Sequence, residues 1–225
     1  MNLSYQSTRG GESGLTASQA ILKGLADDGG LFMPVEIPKL DIPLKELYGA
    51  TYQETAYQVM KLFFTDFTEE ELRYCINHAY DEKFDTEEIA PLVKADGAYY
   101  LELFHGKTIA FKDMALSILP YLMTTSAKKN QVKNDIVILT ATSGDTGKAL
   151  AGFADVPGTR IIVFYPQGGV SRIQELQMVT QKGDNTAVVA IHGNFDDAQT
   201  GVKNIFGDRD FAERLAGKGF QLSSA

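Results

Sequence analysis

One cysteine, Cys75, occurs in 225 residues. That excludes an intrachain disulfide. Its setting, "ELRYCINHAY", has the pattern of a helix face, so a buried core thiol is expected rather than a catalytic one. Histidine is nearly as scarce. His78, His105 and His192 are not at metal-ligand spacing, and with one cysteine they make no convincing zinc set. No apolar run is long enough to span a bilayer, and the opening "MNLSYQSTRGGESGL" lacks the apolar core of a signal peptide. A soluble, cytoplasmic protein without membrane contact is the expectation. Positive charge is in deficit: 21 Lys and Arg stand against 29 Asp and Glu, for a formal net charge of -8. An acidic surface argues against nucleic acid as the main partner, and no block of like charge marks a tail. Internal repeats and low-complexity segments are absent too.

What is present is 44% apolar residues, enough for one large domain or two small ones with a real core. The rhythm of the chain changes near residue 95. Residues 1–95 read as a mainly helical N-terminal region. "TASQAILKGLA" (16–26) opens on a capping threonine and continues at helical spacing. "DDGGLFMPVEIPKL" reads as a loop punctuated by Gly and Pro. "LKELYGATYQETAYQVMKLFF" reads as one or two helices. Thr68, followed three residues later by Glu71, makes a capping-box pattern at the head of the next helix.

Residues 96–225 alternate between strand and helix and read as an α/β domain. "AYYLELF" (98–104), "DIVILTAT" (135–142), "RIIVFYP" (160–166), "TAVVAIHG" (186–193) and the final "FQLSSA" are the strands. Pro120 is placed to kink or divide the helix in "KDMALSILPYLMTTSAKK". Short continuous apolar runs suit parallel strands buried on both faces. The expected fold is an open, mostly parallel sheet with flanking helices and right-handed crossovers, preceded by the helical region. A chain that stops in a strand reads as truncated.

In such a sheet, ligands collect outside the carboxyl ends of the strands. There "SGDTG" (143–147) joins a strand to a helix. Gly144 and Gly147 permit a tight turn and a close backbone approach. Helix-start amides favour an anion, and Thr142, Ser143 and Thr146 can add hydroxyl donors. An anion cradle and a plain capped turn fit these residues equally well. Asp145 would repel an anion unless it faces an electron-poor or protonated group, such as a pyridine-type ring. Lys112 follows the glycine-containing stretch "LFHGKTIAF" and precedes an apolar helical run. A helix N-terminus does not favour a cation, and Phe111 and Met114 flank it with apolar surface, so the setting suits a nucleophilic amine. On the residues alone, an exposed lysine without a role fits better. Asp113 reads as an acid that complements the helix dipole. His105 is placed either to line a pocket or, equally, to cap or pack. "PQGGVS" (166–171) is a ligand-approach loop or a flexible crossover, and Asp196 and Asp197 make "HGNFDD" a helix start rather than a phosphate loop.

Taken together, "LELFHGKTIAFKDMA" and "TATSGDTGKAL" resemble the threonine synthases, pyridoxal-phosphate enzymes of fold type II. "YQSTRGG", "AILKGLADDGGLFMP", "FYPQGGVSRIQELQM" and "IHGNFDDAQTGVK" extend the resemblance over essentially the whole chain. It implies that Lys112 forms a Schiff base with pyridoxal 5'-phosphate, beside Phe111. It implies that Thr142, Ser143, Gly144 and Thr146 hold the substrate carboxylate. Asp145 takes the place of an asparagine that many fold-type-II relatives carry near the cofactor's phenolic oxygen. The implied reaction converts O-phospho-L-homoserine and water into L-threonine and phosphate.

Two departures stand against the family pattern. Lys107 replaces a proline common in that loop. Family chains also continue past "QLSSA" into an Asn-Ser-Ile-Asn stretch with an arginine and, later, a cofactor-phosphate loop. The C-terminal part of the catalytic unit is thus expected to be missing, the chain to be inactive alone, and the surface left by the missing domain to favour self-association. A threonine dehydratase-like lyase shares the lysine and the carboxylate loop. A non-catalytic α/β module that binds a phospho-ligand is the alternative of a different class. Roles for Lys107, Arg9 and Arg172 stay open.

Overall fold

The computed structural model describes residues 2–144 and 152–223. They form two compact units, residues 1–130 and 131–225. Among the described residues no helix is long and apolar enough to cross a membrane.

The first unit opens with a small antiparallel sheet. β1 (Tyr5–Ser7) lies between β2 (Ser13–Leu15) and β3 (Phe32–Pro34). β3 falls inside the stretch read from sequence as a loop. Strands of three residues carry too little alternation to be seen in a sequence. α1 (Ala17–Lys23) starts at Thr16, whose hydroxyl accepts from the Gln19 amide in a capping box, and it stops at Gly24 with φ 75°. It is therefore shorter than the apolar spacing suggested, because Gly24 turns the chain out of the helix. α2 (Tyr52–Phe63) and α3 (Glu69–Ala79) follow. The Thr68–Glu71 capping box is present at the head of α3. Thr68→Ala is expected to cost about 1 kcal/mol, which a thermal melt reads as a drop of roughly 2–4 °C.

β4 (Leu92–Ala95) and β5 (Ala98–Leu101) form an antiparallel hairpin, all of it exposed. Asp96 and Gly97 turn it at φ 48° and 80°, as an Asp-Gly hairpin turn requires. The strand expected over 98–104 is thus half of a hairpin, not a member of the parallel sheet. After it come α4 (Asp113–Leu116) and α5 (Leu119–Lys129). Pro120 divides the two helices: it sits in the first turn of α5, where its missing N–H costs nothing. The core of this unit joins Leu72, Cys75 and Ile76 of α3 to Ile118 and Leu122. Because α5 packs on α1 and α3, the boundary between units lies at 130, whereas the change of rhythm near 95 falls in the hairpin turn. Cys75 is fully buried against Thr125, and burial pushes its thiol pKa up.

The second unit is a parallel sheet of β6 (Asp135–Ala141), β7 (Thr159–Pro166), β8 (Thr186–Ile191) and β9 (Phe220–Ser223), in the order β8-β7-β6-β9. α6 (Arg172–Val179), α7 (Phe195–Gly207) and α8 (Arg209–Ala216) accompany it. Val137 and Leu139 pack on Val202 of α7, while Ile136 and Ile138 are buried on the other face. β6 is thus covered on both sides, as its continuous apolar run predicts. The strand order runs from β6 out to β8 and then returns to place β9 on β6's other side. A reversal of this kind leaves a crevice at the carboxyl end of β6.

Candidate active site

The expected site residues fall in different compact units, and each part has its own local frame. In the first unit, Lys112 is the residue that opens α4. Its carbonyl accepts from the amides of Ala115 and Leu116, at 3.1 and 2.8 Å. Its side chain is half-buried, and Nζ stands 4.7 Å from the centre of the Phe111 ring, which is itself 61% exposed. Lys112 makes no ion pair among the described residues.

The loop before it is built inward. Asp113 is buried, and its carboxylate accepts from Thr108 twice: from the amide at 2.8 Å and from the hydroxyl at 2.6 Å. Gly106 lies so close that a Cβ there would meet Asp113 Cβ at 2.5 Å. The acid read from sequence as a complement to the helix dipole does sit in the first turn of α4, and it also clamps the loop. A glycine and a threonine shortly before the acid are the only sequence trace of it.

His105 packs and bridges: its ring stacks on Phe104 at 4.6 Å between centroids. Its ring bridges Asp85 (2.5 Å) and Glu102 (2.9 Å), and its carbonyl accepts from the Asp85 amide. The Glu102 and Asp85 hydrogen bonds, in that order, raise the imidazole pKa above its ordinary 6.5. A raised folded-state value means the charged strap contributes its stability fully below about 6.5 and loses it as pH rises through the folded-state value. NMR titration of the His105 ring should give a midpoint above 6.5, and Glu102→Gln should move it down. A midpoint unmoved by Glu102→Gln would show that the carboxylate does not hold the ring. Lys107 beside it is exposed.

In the second unit, the segment after β6 emerges at the reversal of strand order. Thr142 is buried; its amide donates to the Phe164 carbonyl at 2.9 Å and its hydroxyl oxygen accepts from the Gly144 amide at 2.8 Å. Thr142 thus continues the β6–β7 ladder by one rung and bends the chain behind it. Ser143 is exposed at the bend. Gly144 has φ 131°, and a Cβ there would overlap the side-chain amide of Gln174. Only glycine fits both conditions. Asp145, Thr146 and Gly147 lie outside the described residues.

Gln174 backs this turn and also closes the Ser171 capping box of α6. Nothing in the sequence singled it out beyond its place three residues after a serine. Arg172 pairs with Glu175 at 2.8 Å on the surface. Arg9 donates to the Asp28 carbonyl at 2.9 Å and so serves the N-terminal sheet. No group of His, Cys, Asp and Glu among the described residues is arranged to hold a metal.

Comparisons with known proteins find threonine synthases. Residues 4–80 match the model described as "Threonine synthase N terminus". The threonine synthase of Schizosaccharomyces pombe is 39% identical over 223 residues, covering 94% of this chain and 43% of its own length. That of Pseudomonas aeruginosa is 38% identical over 211 residues, covering 92% and 44%. The crystal structure of PLP-bound threonine synthase from Brucella melitensis superposes with a TM-score of 0.86 at 34% identity, covering all of this chain and 48% of that one. The chain spans less than half the length of these relatives. In sequence and in fold, it is similar to the threonine synthases over nearly its whole length.

Proposed function

We propose that this chain supplies the cofactor lysine and the substrate-carboxylate loop of a threonine synthase, a lyase that converts O-phospho-L-homoserine and water into L-threonine and phosphate. A cytoplasmic location goes with that reading. The observation that carries it is the placement of Lys112: an amine anchored at the head of α4, without an ion pair among the described residues, in a chain 39% identical to a threonine synthase over 223 residues.

The residues suit pyridoxal 5'-phosphate. A primary amine beside an exposed aromatic face, Phe111, meets the needs of an aldehyde on a flat ring. Gly144 gives a second point of close backbone approach. When bound, the cofactor supplies an electron sink for chemistry at the substrate's α and β carbons. Lys112 Nζ would hold the aldehyde carbon covalently and carry a proton between positions near it. Ser143 and the backbone at Gly144, with Thr142 shaping the bend and Thr146 beyond it, would bind the substrate carboxylate. Asp145 would stand beside the ring. The exposed hairpin residues Leu92, Tyr99 and Leu101 support self-association of the isolated chain.

The test is covalent capture. The chain is mixed with pyridoxal 5'-phosphate and reduced with borohydride, and the labelled peptide is mapped by mass spectrometry. A stoichiometric label confined to Lys112 is expected. Label absent, or spread over many lysines, would overturn the assignment. Phosphate release from O-phospho-L-homoserine separates a threonine synthase from a dehydratase.

A further inference from the structure

Resting on the reading of Lys112 as the cofactor lysine, we propose that Asp113 is the positioning residue for that amine. Its carboxylate folds the preceding loop back on itself and fixes the direction in which the Lys112 side chain leaves the backbone. Three observations carry this. First, Asp113 is only 5% exposed. A carboxylate removed from water needs donors, and among the described residues Thr108 supplies two: the amide to Oδ2 and the hydroxyl to Oδ1. Second, the loop so held is tight. Gly106 rests against Asp113, the Ile109 amide donates back to the Gly106 carbonyl at 3.0 Å, and Ile109 is held at φ 61°, a backbone region that β-branched residues seldom occupy. Third, Lys112 stands between two fixed neighbours. The Asp113 amide donates to the Ala110 carbonyl at 2.9 Å, and the Phe111 carbonyl accepts from the Met114 amide at 3.2 Å.

An amine on a free loop presents itself in many directions. One held on both sides presents itself in few, which raises its effective concentration at a single aldehyde. A dipole-complementing acid would do none of this and would be indifferent to Thr108. The roles therefore part at Thr108, whose amide and hydroxyl hold the Asp113 carboxylate.

Wild type, Thr108→Val, Thr108→Ser and Asp113→Asn are each treated with pyridoxal 5'-phosphate and borohydride, and the share of label on Lys112 is mapped. Thr108→Val and Asp113→Asn are expected to lower that share about tenfold, and Thr108→Ser to keep it within about twofold. Amide exchange at Thr108, read without cofactor, should quicken about tenfold in Asp113→Asn while exchange in α5 is unchanged. If Asp113→Asn does not fold, the Thr108 pair decides. Wild-type selectivity in Thr108→Val would overturn the proposal while leaving the Lys112 reading intact. If the wild type itself shows no preference for Lys112, that reading falls and the proposal falls with it.

Discussion

Lys112→Ala should leave pyridoxal 5'-phosphate with no preferred amine in this chain. Selective labelling is expected to fall on the order of 100-fold, to the background shared by the other lysines, because no other amine is presented with the same orientation. Lys112→Arg is the sharper variant. It keeps the positive charge and much of the length, but a guanidinium does not lose its proton in this range and cannot attack an aldehyde. Equal losses in both variants would identify the amine's nucleophilicity as the quantity that matters. Retention of labelling in Lys112→Arg would mean that another lysine carries the reaction. A folded-state check is direct, since Lys112 forms no ion pair among the described residues and both variants should melt close to the wild type.

The largest stability effect is expected at Gly30. The N-terminal sheet is pinned by one carboxylate. Asp28 accepts from the Ser7 hydroxyl at 2.7 and 2.8 Å, from the Gly30 amide at 2.8 Å and from the Gly11 amide at 2.8 Å. The Ser7 and Gly30 bonds, in that order, hold its pKa below the ordinary carboxylate range. Gly30 is buried beneath this knot. A Cβ there would overlap Ser7 Oγ and stand 3.1 Å from the Arg9 backbone nitrogen, which cannot swing away as a side chain can. Gly30→Ala is expected to cost about 2–4 kcal/mol, from overpacking together with a weakened hydrogen bond to a charged group. Urea titration would read it as a lower midpoint with an unchanged slope. The control is Gly201, a helical glycine of α7 where an added Cβ would meet open space among the described residues. Gly201→Ala should stabilise by about 0.5–1 kcal/mol. Were the two substitutions to act alike, crowding at the Asp28 knot would not be the cause.

Elements whose signal is local were legible in the sequence. Thr68 and Glu71 announced the start of α3, Pro120 the break between α4 and α5, and the apolar run at 135–141 a strand covered on both faces. The candidate site was less legible, because the residues alone left both the lysine and the loop open to plain structural readings. For Lys112 and the segment after β6, only the family resemblance offered roles. Contacts made by returning chain were not legible. Asp28 gathers donors from residues 7, 11 and 30, and Asp113 reaches back to Thr108. Neither acid differs in sequence from one that merely faces solvent. β4 was a different kind of miss. Asp96-Gly97 is a recognised hairpin turn, and the strand before it went unread because "LVKA" carries little apolar pattern of its own.

The sheet order has a consequence for the chain while it is being made. β6 receives β7 early, but its other edge pairs with residues 220–223. At about 5–20 residues per second of synthesis, that edge waits roughly 4–16 s for its partner strand. It is a run of Ile, Val and Leu with bare hydrogen-bonding groups, the kind of edge that recruits strands from neighbouring chains. Crowded nascent chains on one messenger would meet each other in that interval, so yield should depend on expression rate and on chaperone supply more steeply than the stability of the finished fold would suggest.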